Sequence, residues 1–115
     1  MERKGASYEE KPLVILNGEI KTPPLSRTAR RGIGYLIRQL QRGLTLDMPH
    51  SRPMPTIGRR CHELRIDDGG RSWRVIYRTD PEAILVLAVF TKKTGKTPRR
   101  VIEQSKKLLQ RFDRH

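Results

Sequence analysis

Apolar and polar positions along the chain follow two periods, and their order predicts two helices and a set of strands. Between Ser26 and Arg42 the apolar residues Ala29, Ile33, Leu36, Ile37 and Leu40 recur at three- and four-residue spacing. That spacing predicts an amphipathic helix with Ser26 as its N-cap. Gly32 and Gly34 weaken such a helix by roughly 1 kcal/mol each relative to Ala, so they mark close packing or a break. From Cys61 to Ile66 (CHELRI) and from Trp73 to Arg78 (WRVIYR) the period changes to two. Alternation puts His62, Leu64 and Ile66 on one face of the first run, against Cys61, Glu63 and Arg65 on the other. In the second run it sets Trp73, Val75 and Tyr77 against Arg74, Ile76 and Arg78. Asp67-Asp68-Gly69-Gly70 between them is a turn signal. Ile84 to Phe90 (ILVLAVF) is unbroken and rich in β-branched residues, the pattern of a strand buried on both faces. A second helix follows, with Thr97 as cap and Pro98 in its first turn. Its packing stripe is Val101, Ile102, Ser105, Leu108, Leu109 and Phe112.

The remaining segments complete the order. Residues 1–11 are polar and expected to be frayed. Leu13 to Ile20 (LVILNGEI) is a first strand with a bulge at Gly18, ended by Thr22-Pro23-Pro24. Thr45 to Arg59 has three prolines, Pro49, Pro53 and Pro55, and no periodicity. It reads as an ordered loop wrapping the sheet edge, its freedom limited by the prolines. The sequence therefore predicts one α+β domain over residues 1–115. A small antiparallel sheet, made of one N-terminal strand and a three-strand meander, packs with an N-terminal helical segment and a C-terminal helix.

Charge narrows the function. There are 25 Lys+Arg against 12 Asp+Glu, a formal net charge of +13. An excess of this size points to a polyanionic partner, whether an enzyme's substrate or the ligand of a non-catalytic basic module. Cys61 is the single cysteine, so an internal disulfide is impossible and a reducing, cytoplasmic setting is expected. No apolar stretch approaches the roughly 20 residues that span a bilayer, so no membrane partner is expected. His50, His62 and His115 show no ligand spacing, so neither a metal site nor a cofactor is expected.

Candidate chemistry gathers where the apolar strand ends, in FTKKTGKTPRR. Lys92, Lys93 and Lys96 arrive with Thr91, Thr94 and Thr97, a set of ammonium and hydroxyl groups suited to phosphate. The blander reading is a solubilised loop. Arg65 and Arg74 lie on alternating faces of adjacent strands and can converge with these lysines, or else pair across strands with Glu63. Arg78 shares the Arg74 face as a reserve phosphate contact, and Arg99 and Arg100 open the second helix. His62 titrates near neutrality, but it shares a face with Leu64 and Ile66 and reads as a core or interface residue. Tyr77, beside Trp73 and Val75, reads as packing. Arg27, Arg30, Arg31, Arg38 and Arg42 lie mostly off the first helix's apolar stripe. They form a solvated face or a surface for an acidic partner or RNA.

The succession CHELRI, WRVIYR and FTKKTGKTP, with the opening VILNGEIKTPP and the loop MPHSRPMP, resembles the phage-derived branch of the RelE/HigB toxin family across nearly the whole chain. The resemblance implies a RelE-like fold. It also implies the toxin of a type II toxin–antitoxin system, an endoribonuclease that cuts mRNA at the ribosome by metal-independent attack of the 2′-hydroxyl and so inhibits translation. A cognate antitoxin, expected to be a helix-turn-helix protein encoded nearby, would neutralise it. On the matching positions Arg65, Arg74, Lys92 and Lys93 are the expected catalytic group. Arg78, Lys96, Arg99 and Arg100 are expected to bind RNA phosphates, and Arg30, Arg31 and Arg38 the antitoxin. Departing from the best-known members, the chain offers no C-terminal Tyr or His except His115, which leaves the general acid open. The alternatives are a ParE-like inhibitor of DNA gyrase and a non-enzymatic, nucleic-acid-binding phage protein.

Overall fold

A computed structural model describes residues 10–93 and 95–114; Thr94, His115 and most of the stretch expected to be frayed lie outside the described residues. The elements run β1 (Leu13–Ile15), α1 (Arg27–Gln41), β2 (Ser51–Pro53), β3 (Cys61–Asp68), β4 (Arg71–Thr79), β5 (Ile84–Thr91) and α2 (Arg99–Asp113). They form one five-stranded sheet in the order β1-β5-β4-β3-β2. The meander β3–β4–β5 is antiparallel as expected. Gly69 and Gly70 form its first two-residue turn, both at positive φ (55° and 83°), the geometry that a tight hairpin demands and glycine permits.

Four expectations change. The loop before β3 contains the edge strand β2, antiparallel to β3, so the sheet has five strands. Pro53 closes β2, and a proline, with no N–H to donate, suits an edge. β1 spans three residues and runs parallel to β5, which makes the sheet mixed. Beyond β1, Gly18 (φ +95°) lies so close to β5 that a Cβ there would meet the Val89 Cγ2 at 2.8 Å. It is a point of close approach instead of a bulge. Lys11 is anchored, not frayed. Its backbone N–H donates to the Gln41 carbonyl at 2.7 Å and its ammonium to the Asp80 carbonyl at 3.0 Å.

The two faces of the sheet carry two cores. On one, Ala29, Ile33, Leu36, Ile37 and Leu40 of α1 pack over Leu64, Trp73, Val75, Tyr77, Ile84 and Val86. Ser26 caps α1 by accepting from the Ala29 N–H at 3.0 Å, and its hydroxyl donates to Asp68. Gly32 lets the helix settle on β3, since a Cβ there would stand 3.2 Å from the Ile66 Cδ1. On the other face Val101 and Leu109 of α2 pack over Cys61, Ile76, Leu85, Leu87 and Ala88, with Met54 and Ile57. Phe112, expected in that stripe, is among the exposed large hydrophobic residues. β5 contributes to both cores, Ile84 and Val86 to one and Leu85 and Leu87 to the other. Its far end is therefore held rigidly.

Candidate functional site

Strand register assembles the site on the α2 side of the sheet. Arg52 of β2 stands opposite Glu63 of β3, and Arg65 of β3 stands opposite Arg74 of β4. Alternation places all four on the face that Cys61 and Ile76 share. Arg74 pairs with Phe90 of β5, and the Lys92 N–H continues the ladder to the Ser72 carbonyl at 2.8 Å. Lys92 is two residues beyond Phe90, so it returns to the Arg74 face.

Glu63 is the centre of this group and is fully buried. Its Oε1 accepts from Arg52 Nη2 and from Lys92 Nζ, each at 3.2 Å. Arg74 Nε lies 3.9 Å from the same oxygen, an ion pair beyond hydrogen-bond reach. The Thr97 hydroxyl donates to Oε2 at 2.5 Å. Because that hydroxyl is engaged, it does not cap α2. Pro98 is the N-cap residue, with no side-chain hydrogen bond, which corrects the expectation for Thr97.

The charges do not balance. Three cations face one carboxylate, and the Lys92 and Arg74 side chains are only 5% and 6% exposed. Arg74 also meets Asp67 at 3.4 Å, but Asp67 is 78% exposed, so water screens that contact. Arg65, half-buried on the same face, donates from Nη1 to the Met48 sulfur at 3.6 Å, a weak acceptor. The Nε atoms of Arg52, Arg65 and Arg74 are buried without a hydrogen-bond partner among the described residues. Buried donors on cations are costly to leave unmet, so this arrangement suits an anion. A cleft of about 610 Å³ adjoins it, lined by Gly70, Arg71, Ser72, Thr91, Lys92 and Lys93. Lys92 belongs to both the cleft and the Glu63 cluster, while Lys93 is exposed at the rim.

Residues 23–110 match the family model described as Phage derived protein Gp49-like (DUF891). The chain belongs to the Gp49-like family. No curated protein and no solved structure matched it. The matched region contains every residue of the Glu63 cluster.

The other candidates of this Gp49-like chain lie at varying distances from the cluster. Lys96, Arg99 and Arg100 are exposed around the start of α2, next to Thr97. The first turn of α2 holds no acidic residue; cations there oppose the helix dipole, so helix stability does not account for them. Arg78 stands apart, four residues along β4 from Arg74, or roughly 13 Å. Its guanidinium donates from Nε and Nη2 to Asp80 at 2.7 and 2.9 Å, and from Nη1 and Nη2 to Asp113 at 2.9 and 2.7 Å. Its donors are engaged by both acids, so Arg78 clamps α2 to the sheet. His62 and Tyr77 are on the opposite, α1 face. Their rings stack at 5.4 Å, and the Tyr77 hydroxyl hydrogen-bonds Ser51 at 2.6 Å. Burial pushes Tyr77 above its ordinary pKa, with the Ser51 hydrogen bond working against the shift. Burial likewise pushes up the Cys61 thiol, which stays protonated and unreactive at neutral pH. Arg30, Arg31 and Arg38 are exposed on the outer face of α1, with Tyr35 between them 65% exposed. They are thus on the opposite side of the sheet from Glu63. Among the described residues no three His, Cys, Asp or Glu side chains could together hold a metal ion, and no helix is long and apolar enough to cross a membrane.

Arg52 is absent from the site that sequence reasoning assembled, and the parts played there by Glu63 and Thr97 were not foreseen. Glu63 was visible only as a pairing partner for the arginines. Arg52 lies in a segment without periodicity, and Thr97 occupies what reads as a capping position.

The Arg78 clamp has a measurable pH signature. Its hydrogen bonds hold the Asp113 carboxyl below the ordinary value of 3.8. As pH falls the unfolded chain therefore takes up this proton first, and the clamp's contribution is lost as pH passes through the folded value. Asp113→Asn should cost stability at neutral pH and less at a pH below 3.8, as the parent's carboxyl takes up its proton and the clamp weakens. Denaturant titrations at the two pH values check this.

Proposed function

We propose that this Gp49-like protein is the toxin of a type II toxin–antitoxin pair, and that it cleaves ribosome-bound mRNA through the RNA's own 2′-hydroxyl. The observation that carries the reading is the surplus of buried cations around Glu63, opening onto a cleft. In such a cleavage the 2′-hydroxyl passes its proton to solvent as its oxygen attacks the adjacent phosphorus. The 5′-oxygen departs with a proton, leaving a 2′,3′-cyclic phosphate and a 5′-hydroxyl. The crowded phosphorane between these steps gathers negative charge. Arg65 and Arg74 are suited to stabilise it, because arginine donors in a partly dry site act strongly on developing charge. Lys92, hydrogen-bonded to Glu63, adds charge and a proton for the leaving oxygen. Lys93, at the rim, reaches substrate from the open side. Lys96, Arg99 and Arg100 extend the basic surface along which the strand's phosphates run.

The partner proposed for Arg30, Arg31 and Arg38 is an acidic antitoxin. Held on α1, it leaves the Glu63 face uncovered, so neutralisation acts by keeping the toxin off the ribosome. Primer-extension mapping of transcripts after brief induction tests the function. Discrete cuts in translated messages are expected, and co-expression of the antitoxin should abolish them. Intact RNA accompanied by gyrase arrest would contradict the reading and favour a ParE-like inhibitor.

A further inference from the structure

The steps proposed above assign no role to Glu63, yet it is the residue around which the cations are arranged. Its position is closed to water, between β2 and β4, with Ile76 as its cross-strand neighbour. An acid in such a place is retained only when paired, and here it is over-paired. One oxygen serves Arg52 and Lys92 at 3.2 Å and Arg74 at 3.9 Å, while the other takes the Thr97 hydroxyl at 2.5 Å. A single Oε1 offers too few acceptor sites for three cations, and the Nε atoms of Arg52 and Arg74 have no hydrogen-bond partner among the described residues. A phosphodiester adds further acceptor oxygens and a charge of the same sign as the carboxylate.

We propose that Glu63 is an internal counter-anion and the site's positioning residue. It holds Arg74 and Lys92 in place before substrate arrives, and RNA phosphate competes with it for them. The turnover part of this inference rests on the nuclease reading; the affinity part does not. Two opposite consequences follow from one side chain. Removing the charge makes the site more positive and strengthens its hold on phosphate. It also frees Lys92 and Arg74 to wander from the productive geometry, so cleavage slows.

The experiment compares the full-length parent with Glu63→Gln, Thr97→Ala and Thr97→Ser. Affinity is read by fluorescence anisotropy with a 2′-O-methylated RNA oligonucleotide, which has no free 2′-hydroxyl and so is not cut. Glu63→Gln should bind it roughly tenfold more tightly, the scale of one charge acting across several ångströms of partly hydrated protein. Its single-turnover cleavage on programmed ribosomes should fall on the order of a hundredfold, as displaced catalytic groups typically cause. Thr97→Ala keeps the charge but frees one carboxylate oxygen, so it should lower the rate without changing affinity, and Thr97→Ser should restore the rate. A merely structural Glu63 would lower affinity and rate together, and equal or weaker oligonucleotide binding by Glu63→Gln overturns the proposal. If Glu63→Gln does not fold, the Thr97 pair decides, and equal rates for Thr97→Ala and Thr97→Ser overturn it. If the parent cuts no RNA but Glu63→Gln still binds more tightly, the counter-anion stands and the nuclease reading falls.

Discussion

Arg74→Ala, and separately the double change Lys92→Ala/Lys93→Ala, should each abolish growth arrest while leaving a folded protein that still binds its antitoxin. Arg74 is 6% exposed beside Glu63, and its guanidinium is oriented by donating from Nη1 to the Trp73 carbonyl at 2.8 Å. It is therefore pre-aimed. Losing such a charge donor typically costs roughly 3 kcal/mol of transition-state stabilisation, on the order of a hundredfold in rate. Lys92 contributes charge from within the cluster and Lys93 from the rim, so the double change removes both lysines that line the cleft. Arg111→Ala, on the exposed side of α2, is the surface control and should cut at the parent's rate. Single-turnover cleavage on programmed ribosomes measures all three, with antitoxin binding reporting the fold. Parent-like rates for both Arg74→Ala and the lysine pair would remove this cluster from the chemistry.

Arg78→Ala should have the opposite profile. Its guanidinium is 8% exposed and joins Asp80 of the β4–β5 turn to Asp113 near the end of α2. The hydrogen bonds it donates to these acids raise its pKa above the ordinary arginine value, with Asp113 the larger influence. Breaking a buried ion pair from one side costs about 3–5 kcal/mol, because the partner charge is stranded. Asp113 is 53% exposed and rehydrates readily, so the lower end, about 3 kcal/mol, is expected. Against a total stability of roughly 5–15 kcal/mol that is a large loss. Urea denaturation should show it, whereas the cleavage rate per folded molecule should stay near the parent's. A rate loss matching Arg74→Ala would place Arg78 back among the phosphate contacts.

Local signals explain which parts of the fold were legible. Ser26 and the stripe from Ala29 to Leu40 gave α1 almost to the residue, because capping and helical periodicity both act within a few positions. Gly69-Gly70 gave the hairpin for the same reason. β2 was not legible: three residues ending in a proline carry no period, and only pairing with β3 makes them a strand. The site divides along the same line. Alternation placed Arg65 and Arg74 on one face, and the end of the apolar strand located Lys92. Alternation also placed Glu63 on that face, but its burial depends on Arg52 and Thr97, 11 and 34 positions away in sequence. No local pattern reports that a hydroxyl at a capping position will turn inward to a carboxylate. Arg78 shows the complementary limit. Its face was read correctly, but strand alternation does not show that Asp113, 35 positions further on, closes over it.

The most direct test of the central claim is end-group analysis of mRNA from programmed ribosomes incubated with the purified protein. The account predicts discrete fragments ending in a 2′,3′-cyclic phosphate and beginning with a 5′-hydroxyl, produced by the parent and not by Arg74→Ala. Uncut mRNA, or fragments carrying a 5′-phosphate, would contradict it.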